Sequence, residues 1–268
     1  MLYFYRMIKE ISSAQNPTVK SLLNLQAKAR NRKREGVFVL EGLREIDRAI
    51  ACGYNVKEIF FNEDWSDTEI ETYNAEKRQL LKVSKPVFSK LAYREGVKNM
   101  VAVAEMRSFS LDKINLPEEP LIVVLETVEK PGNLGAILRS ADGAGVDLVI
   151  VCDQEMDIHN PNVIRNSLGG FFNVPTVQCS SKKAIEFLRE NDVQVLATFL
   201  KASVPYYEMD MKKPTALVMG SEAFGISDTW VNASSQNIII PMTGVIDSLN
   251  VSSAASIVMF EAKRQRSM

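Results

Sequence analysis

The chain has 268 residues, 46% of them hydrophobic and 24% charged, which is the size of one large or two modest globular domains with ample core. Its 32 Lys+Arg against 33 Asp+Glu leave a formal charge of −1, which excludes a histone-like polycation and an acidic disordered segment but not a nucleic-acid partner. The one histidine, His159, excludes a multi-histidine zinc site, a two-histidine iron site and an H-E-x-x-H protease, so no metal is expected.

From the N-terminus, MLYFYRMIKE lacks the long apolar stretch and small-residue cleavage site of a signal peptide. From Asn16 to Arg30, apolar positions at Val19, Leu22, Leu23 and Leu25 predict a helix, followed by the run KARNRKRE. Lys28, Arg30, Arg32, Lys33 and Arg34 in that run suit contact with nucleic-acid phosphates or, equally, a solvated helix end. Strand-like runs at Val37–Leu40, Ile59–Phe61, Leu81–Val83 and Met100–Ala104 alternate with helical patterns at Leu43–Ala51, Asp67–Leu80 and Val87–Tyr93, predicting a small α/β domain over 1–107.

Between Arg107 and Pro120 the polar, aperiodic RSFSLDKINLPEEP marks a linker, placed at 108–119, before a second domain at 120–268. Charge divides with it: 20 basic and 17 acidic residues precede Pro120, 12 and 16 follow, so a slightly basic half joins an acidic one. The second half alternates LIVVL, LGAILRSADGAG, VDLVIV, VIRNSLGG, VPTVQC, KKAIEFLREN, QVLATFL, ALVMG, DTWVNASS and NIIIPM, and ends in a helix from about Ser248 to Gln265. Such alternation predicts βαβ units and a largely parallel sheet, with ligands beyond the carboxyl ends of the strands. The longest apolar runs are far short of the ~18 residues of a membrane span. The three cysteines, Cys52, Cys152 and Cys179, are far apart in sequence without a C-x-x-C pair and read as buried thiols. Together these features predict a cytoplasmic protein with no membrane association.

Three post-strand loops hold the candidate chemistry. In the first, ETVEKPGNLGAILRSADGAGV, Asn133 is a candidate N-cap, the small residues give the helix a face open to close approach, and Arg139 sits among small and apolar neighbours. The second, GSEAFGIS, flanks Glu222 with Gly220 and Gly225; the third, TGVIDSLNVSSAAS, offers Ser248 as helix cap and crowds the next turns with small residues. Lys263, Arg264 and Arg266 at the far end suit the negative terminus of that helix.

In order, N-L-G-A-I-L-R-S-A-D (133–142), V-M-G-S-E-x-F-G (218–225) and I-I-I-P-M-x-G-x-x-x-S-L-N-V-S (238–252) resemble the three motifs of the SpoU (TrmH-type) RNA ribose 2′-O-methyltransferases of the SPOUT superfamily. S-x-x-N-P-x-V-K (13–20) and F-V-L-E-G-L-R-E-I-D-R-A (38–49) resemble the family's substrate-binding domain. The resemblance implies an N-terminal RNA-binding domain and a parallel-sheet C-terminal domain with a deep trefoil knot. It also implies a homodimer and S-adenosylmethionine held by Gly220, Ile240 and Leu249, with Met242 and Thr198 as further candidates. Arg139 would be the principal catalytic residue, surrounded by Asn133, Glu222, Ser248 and Asn250. The chain departs from the family pattern at E-T-V-E-K-P-G and at Gly170, both expected away from the chemistry, and His159 is expected in a surface loop.

The implied reaction is an in-line displacement in which the ribose 2′-oxygen attacks a sulfonium methyl. Arg139 serves it either as general base or as a bidentate phosphate clamp; the clamp avoids deprotonating a guanidinium, whose ordinary pKa exceeds ~12. Structured RNA is the implied substrate, ribosomal RNA ahead of transfer RNA. The competing readings are an RNA-binding protein that has lost catalysis and an unrelated nucleotide-binding enzyme, for which no phosphate loop is present.

Overall fold

A computed structural model describes residues 8–75, 78–93, 99–153, 156–201, 203–221, 224–246 and 248–267. The chain divides into two compact units, Met1–Arg107 with His159–Arg165, and Ser108–Ile158 with Asn166–Met268. The short segment His159–Arg165 thus joins the first unit although it follows the linker by some forty residues of sequence.

In the first unit, Asn16 caps α1 (Pro17–Ala27) by accepting from the Thr18 N–H at 2.9 Å, and Val19, Leu22 and Leu25 form the buried face of the helix. The single helix expected over Asn16–Arg30 is broken at Lys28, which is extended at φ −127°, and α2 (Ala29–Glu35) resumes after it. Arg32 explains the break. Its side chain is buried and donates to the carbonyls of Leu25 and Gln26, satisfying orphan acceptors at the end of α1. β2 (Val37–Glu41), α3 (Leu43–Ala51) and β3 (Val56–Phe61) follow.

The helix expected over Asp67–Leu80 is shorter than its pattern. Ser66 and Glu69 start α4 (Asp67–Glu71) with a capping box, but Arg78 donates to the carbonyls of Tyr73 (2.7 Å) and Val56 (3.1 Å) and holds a turn before β4 (Gln79–Val83). With α5 (Lys85–Leu91), β5 (Val101–Glu105) and an unforeseen edge strand β1 (Lys9–Ile11), the sheet has the order β1-β4-β3-β5-β2, parallel over its first three strands and antiparallel at β5. Its core packs Val19, Leu22 and Leu25 against Val39, Phe60, Leu81, Val101 and Val103. His159 is buried against Phe38, their rings 5.1 Å apart, rather than in a surface loop.

Most of α7 (Pro161–Ser167) lies in the segment His159–Arg165 of the first unit; the second unit contains β6 (Leu121–Glu126), α6 (Pro131–Ala144), β7 (Leu148–Cys152), α8 (Gly170–Asn173), β8 (Thr176–Cys179), α9 (Ser181–Glu190), β9 (Gln194–Thr198), β10 (Val204–Pro205), β11 (Thr215–Met219), α10 (Asp228–Ala233), β12 (Gln236–Ile239) and α11 (Val251–Arg266). The strands form a parallel sheet in the order β10-β12-β9-β11-β6-β7-β8. The chain runs outward from β6 through β7 to β8, then returns to the opposite side, so the border of β6 and β11 is a topological switch point, where open α/β sheets bind ligands. The continuous apolar runs arise because the strands are covered on both faces. Ile122, Val124, Ile150 and Val218 pack with Ala184, Leu188 and Trp230, while Val123, Leu125, Leu217 and Met219 are buried as well.

The small-residue faces let α6 and α11 approach closely. Ser140 Oγ and Ser256 Oγ lie 2.7 Å apart, and Lys263 Nζ donates to the Gly143 carbonyl at 2.6 Å. Arg266 does more than complement its own helix terminus: it donates to the carbonyls of Met211 (2.8 Å), Lys213 (2.9 Å), Pro120 (3.2 Å) and Glu119, gathering the entrances to β6 and β11. Burial lowers the pKa of this guanidinium. Cys152 and Cys179, distant in sequence, are register partners on β7 and β8. Their hydrogen bond raises the pKa of the Cys152 thiol and lowers that of Cys179.

Candidate active site

Four neighbouring strands, in the order β12-β9-β11-β6, end at one edge. Thr198 ends β9, Gly220 follows β11, Ile240 follows β12 and Glu126 ends β6, so the topology collects three of the five candidate cofactor residues at a single edge. Thr198 spends its hydroxyl on the Val218 carbonyl (2.9 Å), which ties β9 to β11. Ile240, Met242 and Leu249 are half-buried. Partly exposed apolar side chains close in sequence to a post-strand glycine suit a flat heterocycle and an aliphatic chain read through backbone groups.

The loop after β11 closes on itself. Ser221 and Gly225 exchange backbone hydrogen bonds of 2.9 and 3.0 Å, and Gly225 takes φ +68°, the left-handed region that favours glycine. A Cβ on Gly220 would stand 2.2 Å from the Gly225 carbonyl carbon, so glycine is required by the loop's own backbone. Glu222 lies outside the described residues.

Glu126 is a residue that the motif pattern does not single out. Its buried carboxylate accepts from both the Ser227 N–H and the Ser227 hydroxyl at 2.7 Å, fixing the far end of the same loop to the end of β6. The legible signal was a charge ending the otherwise apolar run LIVVLE. Thr127 follows at φ +52°, a strained conformation for a β-branched residue.

The first and third motifs meet. Asn250 Nδ2 donates to Asn133 Oδ1 at 3.2 Å, while Asn250 Oδ1 accepts from the Ser252 N–H (3.0 Å) and hydroxyl (2.6 Å). Asn250 is therefore the N-cap of α11, the place expected of Ser248, because the helix begins at Val251. Lys130 takes the cap position of α6, with Pro131 in its first turn, which leaves Asn133 inside the helix and its amide turned to Asn250. Ser248 is exposed just upstream of this pair.

Arg139 projects from α6 as an exposed side chain. The backbone beneath it is braced by α8: a Cβ on Gly170 would lie 2.7 Å from the Leu138 carbonyl oxygen and 3.2 Å from Arg139 Cα. Gly170 thus supports the helix that carries Arg139, instead of being remote from it, and Asn173 Nδ2 adds a 2.7 Å bond to Asp142. In the first unit Lys28, Arg30, Lys33 and Arg34 are exposed. Arg32 is not an RNA contact: only 2% exposed, it is consumed by the end of α1. Among the described residues no cluster of His, Cys, Asp and Glu could hold a metal ion, and no helix is long and apolar enough to cross a membrane.

These features define an open parallel α/β unit whose central strands end together at a topological switch point, with Arg139 exposed on the helix whose Asn133 is bonded to Asn250. The SpoU rRNA methylase family model matches residues 120–260, and the MRM3-like substrate binding domain matches residues 16–102. The chain belongs to the SpoU rRNA methylase family. It is 29% identical over 261 residues to the 23S rRNA (guanosine(2553)-2'-O)-methyltransferase RlmP of Bacillus subtilis (strain 168), covering 96% of this chain and 100% of that protein. An AdoMet-bound rRNA methyltransferase from Sinorhizobium meliloti superposes with a TM-score of 0.89 at 31% identity, covering 96% of this chain and 98% of the other. AviRb from Streptomyces viridochromogenes, in complex with AdoMet, gives 0.86 at 28% identity, with 94% and 98% covered.

Proposed function

We propose that the protein transfers a methyl group from S-adenosylmethionine to a ribose 2′-hydroxyl of ribosomal RNA, with 23S rRNA as the substrate class. The observation that carries this reading is the Asn250–Asn133 bond of 3.2 Å, which joins the third motif to the helix α6 that also carries Arg139. The relatives that span nearly the whole chain and act on 23S rRNA support the substrate. Gly220, Ile240 and Leu249 would hold the cofactor, with Met242 and Thr198 at the margin. S-adenosylmethionine, when bound, supplies an electrophilic methyl.

The protein's own part is alignment and proton handling. Arg139 clamps a phosphate beside the target ribose through its two-pronged guanidinium; a solvated guanidinium is a poor proton acceptor, so it is not the base in this account. The Asn133–Asn250 pair fixes the helix termini that frame the reacting ribose, with Ser248 next to it. Glu222 would receive the hydroxyl proton. The family's trefoil knot accords with the close packing of α11 on α6 and β11.

A cytoplasmic homodimer completes the proposal. Leu200, Phe224, Val245 and Ile246, on the loops after β9, β11 and β12, are 62–105% exposed and would be covered by a second copy. Light scattering at micromolar concentration should give the dimer mass. The function itself is tested by calorimetric titration with S-adenosylmethionine and by mapping 2′-O-methyl sites in cellular rRNA with and without the gene. Binding together with one site lost on deletion is the expected outcome. Absence of both would leave only a fold shared with methyltransferases.

A further inference from the structure

In the first unit one aromatic ring is held in a manner that surface packing does not require. Tyr93, two residues past α5, is 75% exposed, yet the guanidinium carbon of Arg165 lies 3.9 Å from its ring centroid, a stacking distance. Arg165 belongs to the segment His159–Arg165 that is part of this unit. Its side chain is only 13% exposed and is fixed in direction. Nη1 donates to Asn162 Oδ1 at 2.7 Å, and Nη2 pairs with Glu41 Oε2 at 3.4 Å. Glu41 is itself buried and also accepts from Asn99 Nδ2 at 3.2 Å. At the head of the segment, His159 is buried against Phe38.

The consequence is a planar cation anchored from below, with a phenol ring laid on it and the rest of that ring in water. Stacking on the guanidinium removes rotational freedom from Tyr93 before any ligand arrives, which lowers the cost of using the ring as a binding surface. A ring offered to solvent on a cationic base fits a flat, electron-rich partner attached to a polyanion. Unpaired RNA bases are recognised in this way, by stacking on aromatic side chains or guanidinium planes. Lys90, exposed on the last turn of α5, adds positive charge near the same end of the helix.

We propose that Tyr93, backed by Arg165, is a stacking platform for an unpaired base of the RNA substrate. This rests on the RNA methyltransferase reading and deepens it by naming a base-binding position outside the methyl-transfer site.

The test uses the full chain, an in vitro transcript of 23S rRNA and radiolabelled S-adenosylmethionine, with initial rates measured as the transcript concentration is varied. Tyr93→Ala should raise KM for RNA about tenfold or more, in the range found for loss of one base–aromatic stack. It should leave kcat, the affinity for S-adenosylmethionine and the salt slope of RNA binding unchanged, because no phosphate contact is removed. Tyr93→Phe and Tyr93→Trp should stay close to wild type, and Arg165→Lys, which keeps the charge but loses the plane, should fall between. An unaltered KM in Tyr93→Ala with an active wild type overturns the platform and leaves the methyltransferase reading standing. Equal loss in Tyr93→Phe and Tyr93→Ala overturns stacking, since only the hydroxyl would then matter. A wild type that methylates no transcript removes the reading and the platform together.

Discussion

The loop edge of the second unit and the basic helix of the first were both conspicuous as sequence, and they repay that notice differently. At the loop edge the polar groups are spent on one another: Asn250 on Asn133, Glu126 on Ser227, Ser221 on Gly225. Along α2 the charges point to water, except for Arg32, which faces the end of α1. A site built of interlocking backbone carries its constraints in residue type and spacing. A surface built of charge does not, because neighbouring arginines in a sequence look alike whether they are buried or solvated.

The sharpest way to break that comparison is at the loop edge. Gly220→Ala puts a methyl group where the Gly225 backbone already stands, 2.2 Å away, so the loop must open. The expected loss of S-adenosylmethionine affinity is at least about 100-fold, or about 2.7 kcal/mol, by calorimetry, with the melting temperature little changed. Unchanged affinity would mean that the loop is not part of the cofactor site.

Glu126→Ala removes both anchors of Ser227 and should raise KM for S-adenosylmethionine about tenfold, with KM for RNA unaffected. Glu126→Gln retains an acceptor for the Ser227 N–H and should lie nearer wild type. If both KM values rise together, the carboxylate supports the fold in general rather than this loop.

On the basic helix, Arg32 should behave oppositely to its neighbours Lys33 and Arg34. Arg32→Ala should destabilise the chain by about 1–3 kcal/mol in urea, because buried carbonyls of α1 lose their donor. Neutralising Lys33 and Arg34 should leave stability within about 0.5 kcal/mol. If they contact phosphates, the salt slope of RNA binding should flatten by about two units, roughly 0.9 per contact. An unchanged slope would return this end of α2 to the role of a solvated helix terminus.

Much of the second unit could be read from sequence because most of its strands are short apolar runs and helices such as α9 and α11 start at the capping residues Ser180 and Asn250. The parallel sheet and the three loops followed from that alternation; the bond between Asn133 and Asn250 is added by the structure. What escaped was set by partners distant in sequence. Nothing adjacent to His159 in the sequence announces where its ring goes, and it packs on Phe38, distant along the chain. The helix pattern after Ser66 runs through Leu80, yet Arg78 bonds back to Tyr73 and Val56 and ends it early. Glu126 was not singled out in the sequence, because its two donors come from Ser227, 101 residues later. Ser248 and Asn133 were both reasonable caps by residue type; the true starts of α11 and α6 depend on where the chain turns back onto the sheet.

The central claim is that Arg139, exposed on the helix α6 that Gly170 braces, positions RNA for methyl transfer. The most direct test incubates purified protein with 23S rRNA and labelled S-adenosylmethionine, digests the product to nucleosides and identifies the methylated one, for wild type and for Arg139→Lys. The account predicts a single 2′-O-methylated nucleoside from wild type. It also predicts a turnover at least about 100-fold lower for the lysine variant at unchanged cofactor affinity, because a point charge cannot replace the bidentate fork. A base-methylated product, or a lysine variant as fast as wild type, would contradict it.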